Sequence, residues 1–167
     1  MSEDFNNTLN LPQTEFPMRG NLPKREPEML EKWENERLYY ALAEKNKDKP
    51  SYTFHDGPPY ANGDIHMGTA LNKVLKDIVV KYKSMTGYNA NYVPGWDCHG
   101  LPIELKALKQ IGVDSGAVDP VQLRKSCRSF ALSCLDDQKK QFKRLGVWGD
   151  FDNPYLTLAP SFEAKQV

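Results

Sequence analysis

A histidine, a glycine and a threonine lie close together in Ile65-His66-Met67-Gly68-Thr69, and their types and spacing suit the binding of a phosphate. His66 and Thr69 are three positions apart, so on a helical turn they share a face. A helix start offers free amides and the positive end of the helix dipole, both of which favour an anion. Gly68 has no side chain, so a flat base or ribose could approach the backbone there. A plainer alternative fits the same residues: a histidine at a helix start is often only a cap. The preceding loop, residues 56–64 (DGPPYANGD), holds two glycines and two consecutive prolines and breaks any regular element.

The flanking sequence supplies elements that would position this loop. Residues 51–55 (SYTFH) are aromatic and β-branched, as in a buried strand. After the loop, Leu71, Val74, Leu75, Ile78 and Tyr82 follow the spacing of an amphipathic helix, and Gly87 suits a left-handed cap at its end. Residues 88–93 alternate as a second strand, and Pro94-Gly95 reads as a turn. Strand, glycine-rich loop, helix and strand make a βαβ unit, which implies a parallel sheet with a right-handed crossover. In such sheets ligands bind beyond the carboxyl ends of the strands, where the loops at Asp56 and Pro94 fall. Neither G-x-G-x-x-G nor G-x-x-x-x-G-K-[ST] occurs, so a nucleotide would be held in another way. Upstream, residues 1–23 read as an extended arm. Pro27 suits the first turn of a helix whose stripe is Met29, Leu30, Trp33 and Leu38. Downstream, residues 101–109 and 120–145 read as helices.

Composition narrows the function classes. The 167 residues carry 22 Lys+Arg against 22 Asp+Glu, for a formal net charge of zero, which argues against nucleic-acid binding by bulk electrostatics alone. The charge is uneven: residues 26–36 hold five Glu and one Lys, and residues 122–145 hold seven Lys/Arg and two Asp. The basic stretch either faces phosphate or is a solvated helix face. Cys98, Cys127 and Cys134 lack the spacing of zinc ligand pairs and read as reduced thiols. The longest apolar run is six residues, 38–43, whereas a bilayer span needs about 20. The first eighteen residues contain no Lys or Arg, unlike a signal or transit peptide. A cytoplasmic protein with no membrane association is the expectation.

Residues 56–73 (DGPPYANGDIHMGTALNK) resemble the first signature of class I aminoacyl-tRNA synthetases. Residues 94–104 (PGWDCHGLPIE) resemble a segment of the isoleucine enzymes of that class. Residues 9–20 (LNLPQTEFPMRG) and 24–27 (KREP) resemble the start of the bacterial isoleucine enzymes. The resemblance covers essentially the whole chain. It implies an α/β fold, the first half of a Rossmann-type nucleotide-binding domain. Residues 1–50 would form the arm and helix, and 51–167 the first half of the catalytic domain. The signature runs through Pro59, Tyr60, Ala61, Asn62, Gly63, Asp64, Ile65, His66, Met67, Gly68 and Thr69.

Roles follow from the resemblance by position. His66 and Thr69 would contact the ATP phosphates and stabilise charge as pyrophosphate leaves, and Gly68 would lie under the adenosine. Gly57 and Pro58 would line the amino-acid pocket, and Asp97 would receive the α-ammonium group. A partly buried carboxylate opposite a cation binds far more firmly than a surface pair. From the residues alone, Asp97 also fits a turn residue, and Gly57-Pro58 a plain tight turn. The implied reaction joins isoleucine to tRNA(Ile) through an adenylate, with ATP and its Mg²⁺ as substrate and no zinc ligands in this chain. The implied state is monomeric.

Two departures from the family pattern matter. Thr69 stands where the family usually has a second histidine. A hydroxyl donates one hydrogen bond but carries no charge, and losing one such stabilising donor costs on the order of 10²–10³ in rate. The second signature, Lys-Met-Ser-Lys-Ser, is missing, with the second half of the nucleotide fold, the editing domain and the anticodon-binding region. Residues 161–167 (SFEAKQV) read as the inside of a helix without a cap, as in a truncated chain. Two expectations of different class follow: the amino-terminal piece of a synthetase, or a remnant that folds and binds ATP or isoleucine without catalysing. In either case a half-sheet with unpaired edges predicts a marginal, aggregation-prone protein.

Overall fold

The computed structural model of the chain describes residues 5–10, 13–15, 19–112 and 118–167. The expected arm falls partly outside these; a 3-10 turn at Phe5–Thr8 is its described regular piece. The helices are α1 (Leu22–Asn35), α2 (Leu38–Lys45), α3 (Met67–Met85), α4 (Leu101–Ile111), α5 (Pro120–Arg144) and α6 (Pro160–Glu163). Two short strands, β1 (Gly95–Trp96) and β2 (Tyr155–Leu156), pair in parallel.

Parallel pairing continues as isolated bridges, Ser51 with Asn89 and Tyr60 with Asp97. Three extended stretches therefore lie side by side, with residues 89–97 in the middle. They are linked by α3 on one side of the sequence and by α4 and α5 on the other. This is a partial Rossmann-type arrangement, but the strands expected at 51–55 and 88–93 are not continuous ladders. The reason lies in their backbone partners. The Tyr39 hydroxyl accepts from the Tyr92 amide at 3.0 Å. The Asp150 amide donates to the Tyr92 carbonyl at 2.9 Å. Just past the two stretches, Pro58, Pro59 and Pro94 have no N–H to extend a ladder. Pairing resumes past the prolines, so Gly95, expected in a turn, is in a strand. A Cβ on Gly95 would lie 2.1 Å from the Tyr155 ring, so the close approach of β1 and β2 requires glycine.

The amino-terminal helix also differs from expectation. Pro23 occupies the first turn of α1, and Pro27 lies inside the helix. Arg37, at φ 49°, breaks the expected stripe, so Leu38 begins a separate α2. The two opposite charge runs meet: Lys143 reaches Glu34 at 2.6 Å and Arg144 reaches Glu26 at 2.9 Å, tying the end of α5 to α1. Trp33 and Trp148 pack edge to face at 6.3 Å, with the Lys81 ammonium over both rings.

The core lies between α5 and the extended stretches. Ala131, Leu135, Gln138 and Phe142 form the buried stripe of α5. Trp96 is fully buried against Phe142 and Phe151. Most of the α3 stripe read from the sequence faces outward: Leu71, Leu75, Ile78 and Tyr82 are 55–61% exposed, while Val74 is half-buried. The buried face of α3 is Lys73, Asp77 and Val80. Among the described residues, no helix is long and apolar enough to cross a membrane. The three cysteines are free thiols, and burial raises the pKa of each.

Candidate functional site: the loop before α3 and the exit of β1

His66 is the N-cap of α3, with extended backbone at φ −102° and ψ 171°. Its Nδ1 accepts from the amides of Gly68 at 3.1 Å and Thr69 at 3.3 Å. The plainer reading of this histidine is therefore realised, and these two amides are not free for an anion. The cap fixes the ring's chemistry instead. With Nδ1 accepting, a neutral ring carries its hydrogen on Nε2, which becomes an exposed donor. Gly68 belongs to the same device, because a Cβ there would lie 2.9 Å from Cε1 of His66. The space expected for a base or ribose is bordered by this imidazole.

The bridge between Tyr60 and Asp97 brings the loop beside the exit of β1. The Asp97 amide donates to the Pro59 carbonyl, and the Ala61 amide donates to the Asp97 carbonyl, both at 2.9 Å. The half-buried Asp97 side chain accepts from the His99 amide at 3.2 Å, a turn contact that leaves its second oxygen for another partner. Gly57 is exposed, and a Cβ there would meet only the Lys76 ammonium, at 4.0 Å. Pro58 and Pro59 are half-buried, Tyr60 is exposed and Ala61 is in the core. Thr69 is half-buried in the first turn of α3.

Beneath the loop is a buried charged cluster to which the sequence reading assigned no role. Asp56 accepts from the Lys73 ammonium, from Lys76 at 2.8 Å and from the Gly95 amide at 3.1 Å. Lys73 also donates to the Tyr92 hydroxyl at 3.1 Å. Desolvation alone would raise the Asp56 pKa, but Lys73, Lys76 and the Gly95 amide together hold it below the ordinary carboxylate range. Burial drives the Tyr92 phenol far up, with the neighbouring Asp56 charge adding to it. One carboxylate against two ammonium groups leaves a local surplus of positive charge beside Gly57. Among the described residues, no group of three or more His, Cys, Asp or Glu is placed to hold a metal ion.

The model of tRNA synthetases class I (I, L, M and V) matches residues 28–167. The chain belongs to the class I tRNA synthetases. It is 64% identical over 164 residues to the isoleucine–tRNA ligase of Thermoanaerobacter sp. (strain X514), covering 98% of this chain and 18% of that protein. It is 60% identical over the same span, with the same coverage, to the ligase of Geobacillus thermodenitrificans (strain NG80-2). The match is to the amino-terminal part of these relatives, so the chain spans about a fifth of their length. Among solved structures it resembles the LeuRS of Agrobacterium radiobacter K84 in its ternary complex with tRNA and LeuAMS. There the TM-score is 0.67 at 20% identity, over 86% of this chain and 16% of that one. This last likeness concerns the fold.

Within this synthetase segment, the signature residues after Asp56 are held mainly by side chains from α4 and α5. Lys106 donates to the Asn62 carbonyl at 2.5 Å. Gln138 donates to the Tyr60 and Gly63 carbonyls, and Gln141 accepts from the Ile65 amide. The available sequence signal was the unbroken α5 pattern 131, 135, 138 and 142, which puts a glutamine on an otherwise apolar stripe. A polar residue in such a stripe indicates a buried group with specific partners.

Proposed function

We propose that this chain acts as the amino-terminal part of the catalytic domain of an isoleucine–tRNA ligase. Residues 1–50 form its leading arm and helices, and 51–167 the first half of the nucleotide fold. An oxygen of the isoleucine carboxylate attacks the α-phosphorus of MgATP, the bond to the β-phosphate breaks, and pyrophosphate leaves. A terminal ribose hydroxyl of tRNA(Ile) then attacks the acyl carbon, and AMP departs. The setting is cytoplasmic, and the working state is a monomer.

His66 donates from Nε2 to a phosphate oxygen, its ring orientation set by the cap on Gly68 and Thr69. Thr69 adds a neutral hydroxyl donor. Asp97 receives the α-ammonium group at the mouth formed with Gly57 and Pro58. Catalysis then consists of positioning and of donors aimed at developing charge. The observation that carries this reading is the backbone bridge joining Tyr60 to Asp97, which sets the loop leading to His66 beside the carboxylate. A second reading is that the chain binds ATP or isoleucine without turnover. It is favoured by the His66 cap, which already occupies the Gly68 and Thr69 amides at the start of α3.

The deciding experiment measures isoleucine-dependent exchange of labelled pyrophosphate into ATP. It compares the 167-residue chain with residues 1–167 placed in the Thermoanaerobacter ligase in place of its own segment. The hybrid is expected to exchange and the isolated chain to be silent. Thr69→His should raise the hybrid's rate by about tenfold or more, since each such donor is worth on the order of 10²–10³ when fully used. A hybrid that folds and stays silent would overturn the reading.

A further inference from the structure

We propose that Gln138 and Gln141 are positioning residues that fix the backbone of residues 60–65, so that His66 and Asp97 address one substrate; this rests on the functional reading above. Gln138 is 3% exposed and has three partners. Its Nε2 donates to the carbonyls of Tyr60 at 3.0 Å and Gly63 at 2.6 Å. Its Oε1 accepts from the indole N–H of Trp96 at 3.0 Å. Those partners orient the amide unambiguously, since two carbonyls need the NH₂ group and an indole needs the oxygen. Trp96 directly precedes Asp97, so one buried amide spans both halves of the site. Gln141 lies three residues further along α5. It accepts from the Ile65 amide at 2.9 Å and donates to the Asp64 carboxylate.

The loop needs these contacts because it runs from the bridge position Tyr60 to the start of α3 with little backbone pairing of its own. Gly63, at φ 140°, takes a conformation that favours glycine, and its carbonyl is met by Gln138. No other common side chain substitutes at 138. Glutamate would aim an oxygen at two carbonyl oxygens. Leucine would strand two carbonyls and an indole N–H, and stranded buried groups are costly. A misplacement of about 1 Å in a site that works by positioning can cost on the order of 10² in rate. The glutamines would thus act on kcat without touching the substrate.

The first test is amide hydrogen exchange on the whole 167-residue chain. Gln141→Leu should speed exchange at Ile65 at least tenfold and leave amides within α4 and α5 unchanged. Gln141→Glu combined with Asp64→Asn, which keeps an acceptor for Ile65 and exchanges donor and acceptor between residues 141 and 64, should restore most of the protection. Unchanged exchange at Ile65, or a uniform acceleration across α4 and α5, would overturn the proposal. The second test places Gln141→Leu in the ligase hybrid. Pyrophosphate exchange should lose tenfold or more in kcat, with KM for isoleucine within twofold. A full-rate Gln141→Leu hybrid would overturn the positioning role. An unsubstituted hybrid without activity would instead overturn the functional reading, while the exchange rates still decide whether the clamp exists. Because Gln141 is half-buried, neither test depends on a Gln138 variant folding.

Discussion

The two faces of α3 reverse the usual arrangement of a helix on a sheet. Its inward face carries Lys73 and Asp77 beside Val80, and its outward face carries Leu71, Leu75, Ile78 and Tyr82. Burial of charge is tolerated on the inward face because every charge has a partner. Lys73 has Asp56 and the Tyr92 hydroxyl, while Asp77 takes the Lys81 ammonium and the Trp148 amide. Buried, partnered charge is a poor source of stability but a demanding source of geometry. It fixes where α3 begins relative to β1, and so where His66 stands. The apolar outward face fixes nothing within this chain.

The largest effect should come from breaking the inward face. Asp56→Ala removes the counter-charge of a lysine that is 2% exposed. Stranding one member of such a pair costs about 3–5 kcal/mol. Urea unfolding should show a midpoint low enough to leave the variant largely unfolded in buffer. Adding Lys73→Met should recover most of the loss, because the stranded ammonium goes too. If Asp56→Ala melts like the parent chain, the pair has no structural role. Acid should reproduce the effect. Asp56 titrates below its unfolded value, so its stabilisation is complete above the unfolded pKa of about 3.9 and is lost as pH falls through the folded pKa. Denaturation midpoints measured between pH 6 and pH 2 should fall mainly below about pH 4, and less so in Asp56→Ala/Lys73→Met.

A smaller effect belongs to the helix start. His66→Ala frees the Gly68 and Thr69 amides, and loss of a side-chain cap costs about 1 kcal/mol. Gly68→Ala should cost a similar amount by pushing the imidazole away, and the two substitutions together should cost little more than either alone. Thermal melts of the two single variants and the double variant check this. Additive losses would show that the cap and the glycine act independently.

What the sequence made legible were elements with local punctuation. The places of α4 and α5 were readable, although α4 runs to Ile111 rather than the expected 109, and Gly87 closes α3 at φ 89°. The loop before His66 and its closeness to Asp97 followed from the βαβ pattern. Illegible were features whose partners lie far along the chain. The Tyr92 backbone bonds to a tyrosine 53 residues away, which interrupts the expected strand. The α3 face was misjudged because the spacing of leucines was visible, but the pairing of Lys73 with Asp56 was not. Gln138 meets its loop carbonyls across 75 and 78 residues, a distance that no local pattern reports.

The smallest effect should come from the outward face of α3. Leu75 and Ile78 are 55% and 57% exposed, so replacing both with glutamine removes little buried area. Glutamine and leucine are comparable helix formers, and surface changes of this kind usually stay within about 0.5 kcal/mol. The doubly substituted chain should therefore melt within a few degrees of the parent. It should also stay soluble at higher concentration, since a contiguous apolar stripe that promotes association has been interrupted. Val80→Ala, on the same helix but 1% exposed, is the matched control and should destabilise clearly. Equal losses from the two faces would mean that the outward stripe is packed in solution, and the contrast between the faces would fail.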